Sequence, residues 1–179
     1  MISDFVKGKK QYTYPNLIFK GIKLHRSIDQ FTDTHPITSF IKSHFKNSYG
    51  LYAGAFVDIV YDYFLANDKN EFATSEKLKI FVQNTYQGLR ENIELLPENF
   101  RPFFEHMQTH DWLYHYQSKT AIEKSFAHLV HRAKFLSDAA PAFSIFEENI
   151  SRFQPYYDDF FPQLKEHAFK TFKELVNID

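Results

Sequence analysis

The chain has 179 residues, and 44% of them are hydrophobic, which is enough for one domain with a full hydrophobic core. Its 21 Lys and Arg nearly balance its 22 Asp and Glu, which argues against a nucleic-acid-binding protein because basic residues usually predominate in that class. Cysteine is absent, which excludes disulfides and thiolate metal ligands and favours a reducing, cytoplasmic location. The apolar runs are short and interrupted by charge, so we expect no membrane-spanning segment and no membrane partner.

The charge is unevenly distributed along the chain. Residues 1–50 contain seven Lys and one Arg against three Asp, a net charge of +5, whereas residues 51–179 carry −6. A basic segment of this kind can present one face to an acidic partner, although a run of solvated lysines gives the same pattern.

Apolar spacing predicts helices in the first half of the chain. Residues 16–32 have the spacing of a helical stripe, and Pro36 is expected to open a second helix that ends near residue 46. Residues 47–50 are predicted to form a turn. Residues 51–66 are apolar on most faces, which is typical of a central, buried helix.

The second half is also predicted to be helical. Residues 75–89 are amphipathic, and Thr120 and Glu123 have the spacing of a capping box, which predicts a helix from residue 120 to about residue 136. Pro141 is expected to open another helix, and residues 156–176 form the last one. No strand-like alternation is visible, so the sequence predicts an all-α, single-domain helical bundle over residues 1–179.

The first cluster of reactive residues lies on the first predicted helix. His25, Asp29 and Asp33 follow one another at four-residue spacing, which places them on one helix face, and Arg26 lies beside them. Taken alone, such a histidine is as compatible with a solvated or core position, and such acids with surface or capping positions.

A second cluster, Asp58 and Asp62, shares one face of the most apolar predicted helix. Carboxylates at this spacing repel each other, and burial makes their charges costly unless they are paired or bind a metal. The pattern therefore indicates a neighbouring cation, for which the candidates are a metal ion, Arg26 and Lys23.

Several histidines and the single tryptophan fall in a polar, aromatic-rich stretch. Two pairs have helix-ligand spacing, but no Glu lies between them as a zinc-protease motif requires, so we interpret most of these histidines as surface or interface residues. The histidines are His106, His110, His115, His128 and His131. Trp112 is interpreted as a core anchor and Asp111 as a helix cap.

Three segments taken together resemble the acyl carrier protein phosphodiesterase family. They are residues 4–8 (Asp-Phe-Val-Lys-Gly), residues 21–33 (Gly-Ile-Lys-Leu-His-Arg-Ser-Ile-Asp-Gln-Phe-Thr-Asp) and residues 58–65 (Asp-Ile-Val-Tyr-Asp-Tyr-Phe-Leu). Residues 111–113 (Asp-Trp-Leu) and Arg132 fall where later family motifs occur. The resemblance spans essentially the whole chain, and its most specific part is the His-Arg-x-x-Asp-x-x-x-Asp pattern.

This resemblance implies a helical fold related to the HD-domain metal phosphohydrolases. The implied reaction is hydrolysis of the phosphodiester that joins 4′-phosphopantetheine to a serine of holo acyl carrier protein, which yields apo carrier protein and free 4′-phosphopantetheine. A divalent metal is expected, with Mn²⁺ favoured and Mg²⁺ possible, because the ligands available are oxygen-rich with one imidazole.

Site roles follow from the resemblance and from the chemistry of the side chains. The expected metal ligands are His25, Asp29, Asp58 and Asp62. Asp4 is expected to be a further ligand or the general base, Arg26 to grip the phosphate oxygens, and Asp33 to belong to the catalytic set. Lys7 and Lys23 are expected to assist in binding the substrate. Because carrier proteins are acidic, Lys9, Lys10 and Lys20 are expected to form a docking face.

The chain departs from the family pattern at two places. Family members begin some residues earlier, with a segment like Asn-Phe-Leu-Ala-His, so we expect this chain to lack a short N-terminal segment. They also often carry His where this sequence has Tyr63. Two alternative functions therefore stay open: an HD-like phosphohydrolase acting on a small phosphodiester or a nucleotide, and a catalytically defective helical module that binds carrier protein.

Overall fold

Helices account for all the regular structure in the computed structural model, which describes residues 2–176. Within that range no strand forms, and the predicted all-α class is confirmed. The α-helices are α1 (Asn16–Thr34), α2 (Pro36–Tyr49), α3 (Ala53–Asn67), α4 (Ser75–Glu91), α5 (Arg101–Thr109), α6 (Trp112–His115), α7 (Lys119–Arg132) and α8 (Ala140–Val176). Short 3-10 turns occur at Ser3–Phe5, Gly8–Thr13, Gly50–Tyr52 and Ile93–Leu95. The relation to HD-domain proteins and the single-domain assignment stay predictions.

The helix α2 begins where the sequence predicts and ends later. The His35 side chain accepts a hydrogen bond from the Ile37 amide, and Pro36 occupies the first turn, where its missing N–H costs nothing. The helix continues to Tyr49 because only Gly50 leaves the helical conformation, with a φ of 53°. The predicted turn over residues 47–50 is therefore wrong for its first three residues.

The helix α3 lies at the centre of the main hydrophobic core, as predicted. It packs against α2, α7 and α8. Its fully buried residues Phe56, Val57 and Val60 contact aromatic side chains of these neighbours, and the ring of Phe56 lies 5.7 Å from that of Phe45 and 5.4 Å from that of Phe126. Much of the high aromatic content of the sequence is thus used in this core.

A second, smaller core forms around α4, α5 and α6. Its buried members are Ala66, Leu78, Val82, Tyr86, Leu96, Phe100, Phe104 and Met107. The helices α5 and α6, which are only nine and four residues long, were not predicted from the sequence. The partly buried Trp112 packs against this core, but the Asp111 side chain makes no capping hydrogen bond, so its predicted capping role is wrong.

The start of α7 corrects another capping prediction. Ser118, and not Thr120, is the N-cap, because the Ser118 hydroxyl accepts a hydrogen bond from the Ala121 amide at 3.2 Å. The helix ends at Arg132, four residues before its predicted end, because the backbone of Ala133 is extended.

The last helix, α8, is one 37-residue helix, whereas the sequence predicted two. Pro155 and Pro162 lie inside it on exposed positions, where the backbone carbonyls left without a helical donor can be hydrated. It packs antiparallel to α1, since Ser27 bonds His167 and His35 bonds Gln163. Over residues 2–176, no helix combines the length and apolar character that crossing a membrane requires.

Candidate active site

An acidic cavity of about 460 Å³ lies between α1, α3 and α8 and is bordered by the N-terminal segment. Five aspartates line it: Asp4, Asp29, Asp33, Asp58 and Asp62. They come from three separate parts of the sequence, and all five were predicted to belong to the site. The remaining lining residues are Ile28, Thr32, Tyr61, Leu65, Tyr157, Phe160, Phe161 and Leu164.

A histidine and two of these aspartates form a tight group at one side of the acidic cavity. Nδ1 of His25 lies 2.8 Å from Oδ2 of Asp29, one helical turn further along α1. Asp4 approaches from the first 3-10 turn, so that one ligand atom from each of the three residues lies within 4.8 Å of the others. A metal ion could be held by an Asp/His/Asp group of this geometry.

The α3 helix contributes the other pair. Asp58 keeps contact with the water of the acidic cavity, yet surrounding protein atoms reduce its hydration, and with the negative charges of Asp33, Asp29 and Asp4 this raises its pKa to about 6. Lys42 partly offsets the rise. Burial and the charge of Asp58 raise the pKa of Asp62 to about 7. Both carboxyls therefore hold protons more tightly than an exposed aspartate does.

Aromatic residues form the opposite wall of the acidic cavity. The ring of Tyr61 stacks on that of Phe160 with centroids 4.7 Å apart, and its hydroxyl lies 3.0 Å from that of Thr38. Tyr157, from α8, donates a hydrogen bond to Asp68. None of these aromatic residues was predicted from the sequence to belong to the site. Helical spacing could have indicated Tyr61, which lies three residues after Asp58, but no signal in the sequence connects α8 to this site.

Arg26 lies beside this site with its guanidinium already engaged. It donates one hydrogen bond of 2.6 Å to the Val6 carbonyl and another of 2.6 Å to the Gln11 side chain. Both acceptors belong to the segment that carries Asp4. In this structure Arg26 therefore fastens that segment to α1, and its phosphate-gripping role stays a prediction.

The predicted lysines lie in the N-terminal segment and on α1, and none of them lines the acidic cavity. Lys7, Lys9, Lys10 and Lys23 are exposed, and Lys20 is half-buried. The ammonium group of Lys23 lies over the Phe19 ring, 5.1 Å from its centroid. Their substrate-binding and docking roles stay predictions.

The donor atoms fit a divalent cation of the Mn²⁺ or Mg²⁺ type. Carboxylate oxygens and one imidazole are suitable ligands, and five carboxylates in one cavity repel one another until a cation neutralises them. Asp58 and Asp62 lie outside the group of three donors that meet within 4.8 Å, so their predicted ligand roles stay predictions and Asp4 is brought into the group instead.

Comparison with known proteins gives a consistent result over nearly the whole chain. The profile of the family described as acyl carrier protein phosphodiesterase matches residues 1–164. The chain belongs to this family. It is therefore an enzyme of the phosphoric diester hydrolase class, as predicted.

Curated relatives carry the same name. Acyl carrier protein phosphodiesterases of Photorhabdus laumondii and Serratia proteamaculans are each 26% identical to this chain over 168 residues, and that of Yersinia pestis is 24% identical. The matched region covers 94% of this chain and 85–87% of these relatives. No solved structure matches the chain.

Tyr63, where the resemblance predicted a departure from the family pattern, does not line the acidic cavity. Its ring packs edge-on against Phe146 with centroids 5.1 Å apart, on the side of α3 that contacts the main core. In this chain the residue at this position contributes to packing.

Proposed function

We propose that this protein hydrolyses the phosphodiester between 4′-phosphopantetheine and the carrier serine of holo acyl carrier protein, with a divalent metal ion. The products are apo carrier protein and 4′-phosphopantetheine. The observation that carries the proposal is the meeting of Asp4, His25 and Asp29 at the edge of a cavity that also contains Asp58 and Asp62. We place the reaction in the cytoplasm, in agreement with a chain that contains no cysteine.

The metal is proposed to be held by Asp4, His25 and Asp29, with Asp58 and Asp62, which line the acidic cavity, as further candidate ligands. A divalent ion in such a site neutralises phosphate charge and lowers the pKa of water bound to it. Mn²⁺ is favoured over Mg²⁺ because an imidazole is among the donors. His25 must be neutral at the nitrogen that binds the metal, so metal binding competes with its proton and with its contact to Asp29.

The protein's own side chains have three proposed tasks. The Asp58 and Asp62 carboxyls give up the protons that their raised pKa values retain, so that negative charge is available when the cation binds. Asp33, exposed at the rim, is placed to accept a proton from water or to pass one to the leaving group. The wall formed by Tyr61 and Phe160 excludes bulk water from one side of the cavity.

Mass spectrometry of carrier protein tests the proposal directly. Incubation of holo carrier protein with the purified enzyme and Mn²⁺ is expected to remove the mass of phosphopantetheine from the carrier. The Asp58→Asn variant is expected to lose roughly 100-fold or more in rate, because it removes a carboxylate of the acidic cavity that interacts electrostatically with Asp4 and Asp29. Asp159→Asn, an exposed aspartate on α8, is the matched control and should act like the wild type.

The two alternative functions give different outcomes in the same assay. An unchanged carrier mass together with cleavage of a small phosphodiester or a nucleotide would favour the HD-like phosphohydrolase. Binding of holo carrier protein without cleavage of any substrate, and without a rise in melting temperature on Mn²⁺ addition, would favour the defective binding module.

A further inference from the structure

A second concave region lies beyond α3, between α5, α6 and α7. It consists of two adjoining cavities of about 550 Å³ and 400 Å³, which we call the imidazole groove. Both cavities are lined by His106, Trp112, Tyr116, Ser125 and His128. Each volume is in the range of small-molecule sites rather than of flat protein-docking surfaces. The reaction proposed above makes no use of these residues.

The charge of the imidazole groove is opposite to that of the acidic cavity. Among the described residues that line it no carboxylate occurs, whereas Lys124 lines one cavity and Arg132 the other. Five imidazoles lie around them, at His106, His110, His115, His128 and His131. Cations and imidazoles concentrated in a concave site without acids favour an anionic ligand.

The polar groups of the imidazole groove are available to a ligand. Lys124 and Arg132 form no ion pair with any residue in the range 2–176, and the Arg132 guanidinium lies 5.8 Å from the centroid of the Phe103 ring. Nδ1 of His110 donates to the His106 carbonyl at 2.9 Å, which leaves Nε2 of that ring as its second polar atom. The guanidinium of Arg132 can donate two parallel hydrogen bonds to a phosphate.

The walls of the imidazole groove are aromatic. The Trp112 indole stacks on His128 with centroids 5.6 Å apart and an interplanar angle of 30°. The ring of His106 meets Trp112 edge-on at 5.2 Å. Flat rings beside cationic side chains are typical of sites that bind a planar aromatic group attached to an anion.

We propose that the imidazole groove binds a small organic phosphate that carries an aromatic base, that is, a ligand of the nucleoside phosphate class. Arg132 in one cavity and Lys124 in the adjoining one attract the phosphates of the ligand, and the rings of Trp112 and His128, which line both cavities, contact the base. The site is distinct from the acidic cavity but adjacent to it. Tyr116 lines the groove, and the nearby charge of Asp62 contributes to raising the Tyr116 pKa. The proposal does not depend on the reaction proposed above.

Fluorescence of Trp112 provides the test, because it is the single tryptophan in the sequence. ADP, pyrophosphate and adenosine are titrated into the metal-free protein with EDTA present, at constant ionic strength. We expect a saturable change in Trp112 fluorescence with ADP. Pyrophosphate and adenosine should bind more weakly, because pyrophosphate lacks the aromatic base and adenosine lacks the phosphates. Absence of a saturable change with ADP up to millimolar concentration overturns the proposal.

Variants assign the binding to this groove. Lys124→Gln and Arg132→Gln are each expected to weaken ADP binding about tenfold, since each removes one charge-assisted contact from an exposed position with little effect on folding. Lys170→Gln changes an exposed lysine on α8 that lines neither the imidazole groove nor the acidic cavity. It is the matched control and should bind ADP normally. Asp58→Asn should also bind ADP normally. Loss of ADP binding in Asp58→Asn but not in the groove variants would place the ligand in the acidic cavity and refute the proposal.

Discussion

Asp62 is the described carboxyl group whose ionisation is most altered by the fold. Its folded pKa is about 7, against a reference value of 3.8, because it is buried and lies near Asp58. The unfolded chain therefore releases this proton near pH 4, whereas the folded chain retains it until about pH 7. As the pH rises through this interval the unfolded state is favoured, so Asp62 lowers the free energy of unfolding progressively and has its full effect above pH 7.

The Asp62→Asn variant is expected to remove this pH dependence. Without metal, its melting temperature should resemble that of the wild type near pH 4 and exceed it at pH 8, by an amount equivalent to a few kcal/mol. Thermal unfolding in chelating buffer across this range is the measurement. Asp159→Asn serves as the control, and a variant that gains no stability at pH 8 would show that Asp62 does not ionise as described.

At the scale of elements, the Arg26 side chain helps to fasten the N-terminal segment to α1. The two hydrogen bonds of Arg26 hold Val6 and Gln11, and the aromatic ring of Phe5 packs against Phe100 at 5.0 Å. Between them these contacts place Asp4 beside the His25–Asp29 pair. The position of one proposed metal ligand thus depends on a residue that the sequence pattern assigns to the substrate.

Substitution of Arg26 separates these two roles. If Arg26 positions the segment, Arg26→Gln should weaken Mn²⁺ binding about tenfold, because loss of a supporting contact has an effect of this size at metal sites. The same variant should be cleaved faster by proteases within residues 3–13. Arg90→Gln, an exposed arginine at the end of α4, is the control. Unchanged Mn²⁺ affinity with a raised KM would instead assign Arg26 to the phosphate. Calorimetry and steady-state kinetics on the same samples distinguish the two results.

The wall that α8 contributes depends on Phe160. This ring is 1% exposed and contacts Tyr61, Phe31 and His35, so it joins α8 to α3, to α1 and to the residue between α1 and α2. Phe160→Ala should lower the free energy of unfolding by about 3–5 kcal/mol through the cavity it leaves. Phe169→Ala, on the same helix but 62% exposed, should cost less than about 1 kcal/mol. Denaturant unfolding of both variants tests the difference, and equal losses would contradict the packing role.

The sequence predicts features within one helix better than contacts between distant helices, because its spacing patterns extend over only a few residues. Spacing of three and four residues placed Asp29 and Asp58 on their helix faces correctly, because such spacing depends only on helix geometry. The family resemblance predicted that residues of α1 and α3 belong to one site. Apolar periodicity could not predict this, because it does not indicate which helices pack together. The wall from α8 was missed because Tyr157 and Phe160 are more than ninety residues from Tyr61. The position of Asp4 depends on the hydrogen bonds of Arg26 to Val6 and Gln11, and residue spacing does not predict these contacts.

At the scale of the whole molecule, charges of opposite sign are placed close together. The segment that carries Asp4 into the acidic cavity continues into the 3-10 turn Gly8–Thr13, which bears Lys9 and Lys10, both exposed. We predict that Lys9 and Lys10 form a basic rim that attracts the acidic carrier protein, while a metal ion held in the acidic cavity would neutralise the phosphodiester.

Reversal of the rim charges tests this arrangement. The double variant Lys9→Glu, Lys10→Glu should raise KM for holo carrier protein roughly tenfold at low salt, with kcat little changed, because exposed charges act mainly on association. Cleavage of a small phosphodiester should be unaffected, since that substrate has no acidic protein surface. Lys77→Glu, Lys79→Glu makes the same change in net charge at two exposed positions on α4, which packs against α6, and should leave KM nearly unchanged. Added salt should remove the difference between the variants, because exposed charges separated by more than about 10 Å are screened at 0.1 M ionic strength. Equal effects of the two pairs on KM would assign the effect to net charge rather than to the rim.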